Sequence, residues 1–260
     1  MIEITEDLTA EQAALDAIVA HIDGPSWCEA TPAEGWNISD QIGHLTFFDE
    51  RATMAITDRE AFASELGDAV ADIDAYMDGH LAVARTSSPH DLLVQWRAAR
   101  YQLAEALATL DPSDRVPWYG PDMSARTFAT ARLMEVWAHG QDVADALGVV
   151  REPTARLRHI AFLGVKTMGW SFAINGLEVP VESVYVDLTA PDGGTWTWGD
   201  AASRDSVSGS AEEFCLVVTQ RRNVKDTDLD VLGDVATQWM QIAQAYAGPP
   251  GPGRPENADL

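Results

Sequence analysis

Apolar and polar positions alternate along this chain in two different rhythms. Up to about residue 150 the rhythm is helical. Ala14, Leu15, Ile18, Val19 and Ile22 recur at spacings of three and four, predicting a helix over 7–22. Thr9 is placed to cap it, Gln12 completes a capping box, and Gly24-Pro25 ends it. A second stripe, Ile38, Ile42, Leu45 and Phe48, predicts a helix to about Ile56, capped by Asn37 or Ser39, with Trp36 packing back on its first turn. Residues 59–85 are more acidic and predict one or two short covering helices, with Gly67 and Gly79 as candidate breaks. Ser88-Pro89 opens a helix over 88–110, with Leu92, Leu93, Trp96, Leu103 and Leu107 facing inward. After a Pro/Gly-rich loop carrying Trp118 and Tyr119, a long helix is expected from Ser124 to Leu147, stopped by Gly148. Four long helices joined by loops imply a four-helix bundle over 1–150.

Beyond Arg151 the rhythm shortens. A helical stretch over 154–176 leads to VESVYVDLTA, whose strict alternation marks a half-buried strand. Pro191-Asp192-Gly193-Gly194 reads as a hairpin turn into TWTWG. SGSAEEFCLVVTQRR reads as a capped helix, TDLDVLG as a strand and DVATQWMQIAQAYA as a last helix. Residues 151–250 are therefore expected to form a small α+β domain, and the Pro/Gly-rich polar stretch 251–260 a disordered tail.

Composition narrows the partners. With 46% hydrophobic residues and nine Trp among 260 residues, the chain has the material for real cores. A formal net charge of −24 repels nucleic acid and anionic membranes, so neither is an expected partner. No apolar run is long enough to span a bilayer, and the acidic start MIEITEDLTAEQ lacks a signal-peptide layout, so a cytoplasmic monomer or homodimer is expected. Cys28 and Cys215 fall in different expected domains, which argues against a disulfide and makes each a small buried hydrophobe.

The candidate chemistry sits in the helices. His21, His80, His90 and His159 fall at expected helix ends or on polar faces, where a solvated imidazole is ordinary. His44 and His139 lie inside amphipathic helices instead. Glu135, four residues before His139, points the same way on the same helix. A carboxylate on a core-facing stripe is costly unless it is paired or bound to a metal. Two bland readings compete: Glu135 pairs with Arg132, or it is solvated at the edge of the stripe. Asp49 and Asp142 lie near these residues but miss the face by spacing. Asp142, three after His139, is a surface aspartate or orients an imidazole.

TPAEGWNISDQIGHL, followed about ninety residues later by ARLMEVWAHGQDVADALG, resembles the DinB-like metal-binding bundle superfamily, in the branch of mycothiol-dependent maleylpyruvate isomerases. The resemblance covers about residues 7–248 and is looser over 59–120 and in the second domain. It implies an N-terminal DinB-like four-helix bundle with a C-terminal sterol-carrier-like α+β domain. Residue by residue, it places the family's metal triad on His44, Glu135 and His139. It further implies zinc as the usual ion and mycothiol or a similar thiol as cofactor. Nickel, cobalt or iron also suits N/O donors. The branch's substrate-holding arginine of the second domain corresponds to Arg221 or Arg222, for which an ordinary helix-end cation is the competing reading. The activity implied is a thiol-dependent isomerase or S-transferase on a small electrophilic molecule. A hydrolase using metal-bound water and a non-enzymatic ligand-binding module are the alternatives.

Overall fold

The computed structural model describes residues 1–71 and 73–257, and the chain divides into one compact unit over Met1–Val150 and a second beginning at Arg151. The first unit holds helices α1 (Ile2–Val19), α2 (Ile38–Thr57), α3 (Arg59–Ala71), α4 (Ile73–Thr86), α5 (Pro89–Leu107) and α6 (Ala125–Leu147). A two-stranded ribbon, β1 (Arg115–Val116) with β2 (Met123–Ser124), leads into α6. Helices α1, α2, α5 and α6 are the bundle, with α2 packed on α5 and α6, and α1 on α6 and α5. The bundle core is built from Leu8, Leu15, Ile38, Ile42, Leu45, Trp96, Leu103, Phe128 and Leu133, all essentially inaccessible to solvent.

The first helix starts earlier than its sequence signals suggest. Thr9 does not cap it: its hydroxyl donates back to the Thr5 carbonyl at 2.9 Å, inside α1. Ile4 and Leu8 are buried, and packing them on the bundle draws the preceding residues into the helix. Gln12 faces inward and donates to the Asp49 carboxylate at 3.3 Å. The expected starts of α2 and α5 and the expected stop of α6 are met, whereas α5 ends at Leu107, three residues short of its expected end. Asn37 and Asp40 form a reciprocal capping box on α2, Ser88 caps α5 with Pro89 in first place, and Gly148 closes α6 at φ 63°. Gly67 and Gly79 break nothing, because a helical glycine costs only about 1 kcal/mol and α3 and α4 are packed through Phe62, Leu81 and Ala84.

The second unit contains α7 (Leu157–Lys166), α8 (Met168–Ile174), β3 (Val184–Thr189), β4 (Thr195–Trp198), β5 (Asp205–Ser210), α9 (Ala211–Val218), β6 (Asp230–Leu232) and α10 (Asp234–Ile242). The expected single helical stretch is thus two helices meeting at Thr167. The sheet order is β4-β3-β5-β6, with β3 parallel to β5 and antiparallel to β4, and β5 antiparallel to β6. Val184, Val186 and Leu188 alternate into the core beside Val207. The β3–β4 hairpin turns through Gly193 at φ 82°, where an L side chain would be strained.

Strand β5 corrects the sequence reading, which began a helix at Ser208. DSVSGS carries one large apolar residue, so its strand character comes from pairing between β3 and β6 and not from its own pattern. Helix α9 begins only at Ala211, capped by Ser210. After Pro250 there is no helix or strand among the described residues. The Arg254 carbonyl accepts from the Asn223 amide at 2.9 Å, and Glu256 pairs with Lys225 at 2.8 Å. Both cysteines are free; Cys215 is buried as expected, whereas Cys28 is exposed.

Candidate metal centre

The start of α2 is held from two sides. Asp40 accepts from the Asn37 amide in the capping box, and its carboxylate takes two hydrogen bonds, of 2.8 and 3.0 Å, from the Arg85 guanidinium of α4. One turn further on, the same helix presents His44. Helix α6, capped by Ser124, presents Glu135 and His139 one turn apart. The three side chains each offer a donor atom, and these atoms lie within 4.8 Å of one another. His139 Nε2 is 3.3 Å from a Glu135 oxygen, and the His44 and His139 rings are 4.6 Å apart between centroids. Two imidazoles and a carboxylate converging this closely are a donor set suited to a divalent ion of borderline hardness.

The surroundings remove one competing reading. Arg132 does not pair with Glu135; it binds Asp49 of α2 at 2.9 Å, with both side chains almost wholly buried. Burial pushes the Asp49 carboxyl above the usual carboxylate range, against the pull of Arg132. Glu135 keeps 24% of its side chain exposed, so it stands at the rim of the core beside His139. Asp142 is not a surface aspartate, being 1% exposed, and His139 Nδ1 is met by Gln41.

Gln41 is the first residue that sequence reasoning passed over. It is fully buried, its Oε1 is 2.5 Å from His139 Nδ1, and its Nε2 donates to Thr31 Oγ1 at 2.9 Å. The Thr31 hydroxyl in turn donates to the Trp36 carbonyl at 3.0 Å. The signal was available: an amide three residues before His44 on an apolar stripe is as anomalous as Glu135. His80 is the second. It was expected on a solvated face, yet it is 6% exposed, and its Nε2 lies 3.3 Å from His44 Nδ1. No local pattern marks this, because α4 reaches α2 only through tertiary packing.

Aromatic rings wall the donors. Trp36 stacks on His139, with centroids 5.9 Å apart and planes at 14°, and also touches His44; the Phe48 ring lies 4.6 Å from that of His44. Trp118 and Tyr119, from the loop before α6, join this cluster through Phe48 and Phe62. Tyr119 and Tyr76 share a 2.6 Å hydrogen bond, and Tyr76 also donates to Glu65. Burial, first, and these contacts push the Tyr76 phenol up. A cavity of about 480 Å³ opens beside this wall, lined among others by Phe47, Arg51, Tyr76, His80 and Leu92. Arg221 and Arg222 lie in the second unit, in the turn after α9. Their Nη1 atoms donate to the Thr219 and Arg221 carbonyls at 2.7 Å each.

A helical bundle bearing a convergent His-Glu-His set, followed by a small α+β unit, defines a DinB-like two-unit protein. The chain belongs to the mycothiol maleylpyruvate isomerase N-terminal domain family, whose model matches residues 8–144. Among its relatives are uncharacterized proteins from two strains of Mycobacterium tuberculosis. Each is 48% identical over 248 residues, covering 95% of this chain and 96% of the relative. Crystal structures of a mycothiol-dependent maleylpyruvate isomerase and of a mutant of it superpose with TM-scores of 0.56 and 0.58 at 18% identity. They cover 85% of this chain and 89% of theirs, a likeness of fold.

Proposed function

We propose that this protein is a metal- and thiol-dependent enzyme, an isomerase or S-transferase, acting on a small electrophilic substrate. The observation that carries this reading is the convergence of His44, Glu135 and His139 within 4.8 Å in a chain of this family. Those three residues would hold the ion, with zinc the best match to two imidazoles and a carboxylate and nickel a workable substitute. A bound divalent ion would supply a Lewis acid that favours the thiolate form of a low-molecular-weight thiol near neutral pH. Mycothiol is the thiol named for the related isomerase, and we assign it here by that kinship.

The chain's own groups do the rest. Trp36 and Phe48 pack against the imidazoles, and Glu135 stands at the rim of the set. The cavity beside His80 has the size of a small-molecule site. Arg221 or Arg222 is the group we assign to an anionic part of the substrate, since a guanidinium grips a carboxylate with two parallel hydrogen bonds.

Metal analysis and cobalt(II) absorption spectroscopy test the reading. One equivalent of metal is expected, lost in H44A and H139A, with a change in the cobalt spectrum when thiol is added. Protein that binds no metal, or whose cobalt spectrum ignores thiol, sinks it. Turnover of ester or amide substrates without thiol would move it to a hydrolase.

A further inference from the structure

Gln41 occupies a position that an apolar residue would fill at lower cost. Its neighbours along the inner stripe, Ile38, Ile42 and Leu45, are fully buried, and so is its amide. A buried amide is tolerated only where its polar atoms are matched. The matching here has a direction. The Thr31 hydroxyl has one proton, and the Trp36 carbonyl 3.0 Å away can only accept it. The hydroxyl oxygen therefore accepts from Gln41 Nε2 at 2.9 Å, which turns Gln41 Oε1 to His139 Nδ1 at 2.5 Å. An amide oxygen cannot donate, so Nδ1 carries the ring proton. The lone pair of the neutral ring then sits on Nε2, the atom 3.3 Å from Glu135. Trp36, which supplies the terminal carbonyl of the chain, also stacks on the His139 ring, so one residue fixes both the tautomer and the ring plane.

We propose that Gln41, anchored by Thr31 and Trp36, is a positioning residue that holds His139 in the Nδ1-protonated tautomer and presents Nε2 as a donor beside Glu135 and His44. The inference rests on the metal reading of that triad and names the group that readies one of its members. Outer partners of metal-bound histidines act in this way, and removing one typically lowers metal affinity by about 10–100-fold.

Two measurements test it. In metal-free, unmutated protein at a pH where the ring is neutral, ¹⁵N-edited NMR of the histidine side chains should show His139 protonated at Nδ1. Protonation mainly at Nε2 overturns the proposal, whether or not the protein binds metal. Cobalt(II) titration then compares three proteins. Q41M keeps the volume and removes the acceptor, so its affinity should fall by about 10–100-fold. Q41E keeps the acceptor and should restore binding. Wild-type affinity in Q41M, or an equal loss in Q41E and Q41M, overturns the proposal. If Q41M does not fold by far-UV circular dichroism, T31V takes its place, and a tautomer shifted toward Nε2 is expected there. An unmutated protein that binds no metal removes the triad reading alone, because the NMR result still judges Gln41.

Discussion

Asp49 and Arg132 show how much of the site is decided by single residues. The pair joins α2 to α6 from inside the core, and Gln12 of α1 adds a third contact to the carboxylate. Because Arg132 is committed to Asp49, Glu135 faces His139 without that cation as its counterion. Removing one member strands a buried charge, which costs about 3–5 kcal/mol, whereas removing both costs far less. R132M is therefore expected to lose about that much stability in urea unfolding, and the D49L/R132M double variant to recover most of it. A loss in R132M below about 1 kcal/mol would mean that the pair is solvated.

At the scale of elements, the contact between α2 and α4 brings His80 to His44. It depends on an approach that glycine alone allows. A Cβ on Gly43 would sit 2.2 Å from the Ala84 Cβ, closer than two carbons can come, so the helices would have to separate. G43A is expected to lower stability by about 1–3 kcal/mol, seen as a fall in melting temperature. It should also open the His44–His80 contact, visible in histidine side-chain NMR. An unchanged melt would show that α4 yields freely. The same contact explains why His80 was illegible as a site residue. Residues 59–85 read along the chain as an acidic cover, and the rings around His80 come from another element. Gln41, by contrast, sits on a stripe that was already in view.

In the first unit, Asp16 and Glu65 are held below their ordinary range and weaken the fold toward acid, while Asp49, pushed up by burial, acts in the opposite sense. Asp16 of α1 is lowered first by its hydrogen bond from Arg97 of α5, and further by Arg100. Burial pushes Glu65 up, but hydrogen bonds from Tyr76 and Arg51 outweigh it and leave it lowered. A depressed carboxylate stabilises the folded state above its unfolded value, and that contribution is lost as pH falls through the folded one. The ordinary values here are 3.8 for Asp and 4.5 for Glu. Their contribution is thus intact at neutral pH and shrinks below about pH 4.5. D16N should unfold at lower urea concentration than wild type at pH 7 and show a shallower decline toward pH 3.5. Parallel curves would show that Asp16 is not part of the acid response. Comparing the two proteins cancels the opposing relief of self-repulsion as a chain of net charge −24 is protonated.

The amino-acid order alone was enough for what depends on neighbours along the chain. The helical periods, the Ser88 cap and the Gly148 stop act over one or two turns, and so does the placing of Glu135 and His139 on one face; the sequence left Asn37 or Ser39 as the cap of α2, and the structure takes Asn37. The start of α1 and the strand β5 were settled elsewhere. Ile2 to Glu6 become helical because the bundle buries Ile4 and Leu8, and DSVSGS becomes a strand because β3 and β6 lie on either side of it. The meeting of His44 with Glu135 and His139, the pairing of Arg132 with Asp49, and the approach of Gln41 and His80 are also products of the packed bundle. Each joins residues tens of positions apart, and only burial in a common core brings such distant side chains within a few ångströms.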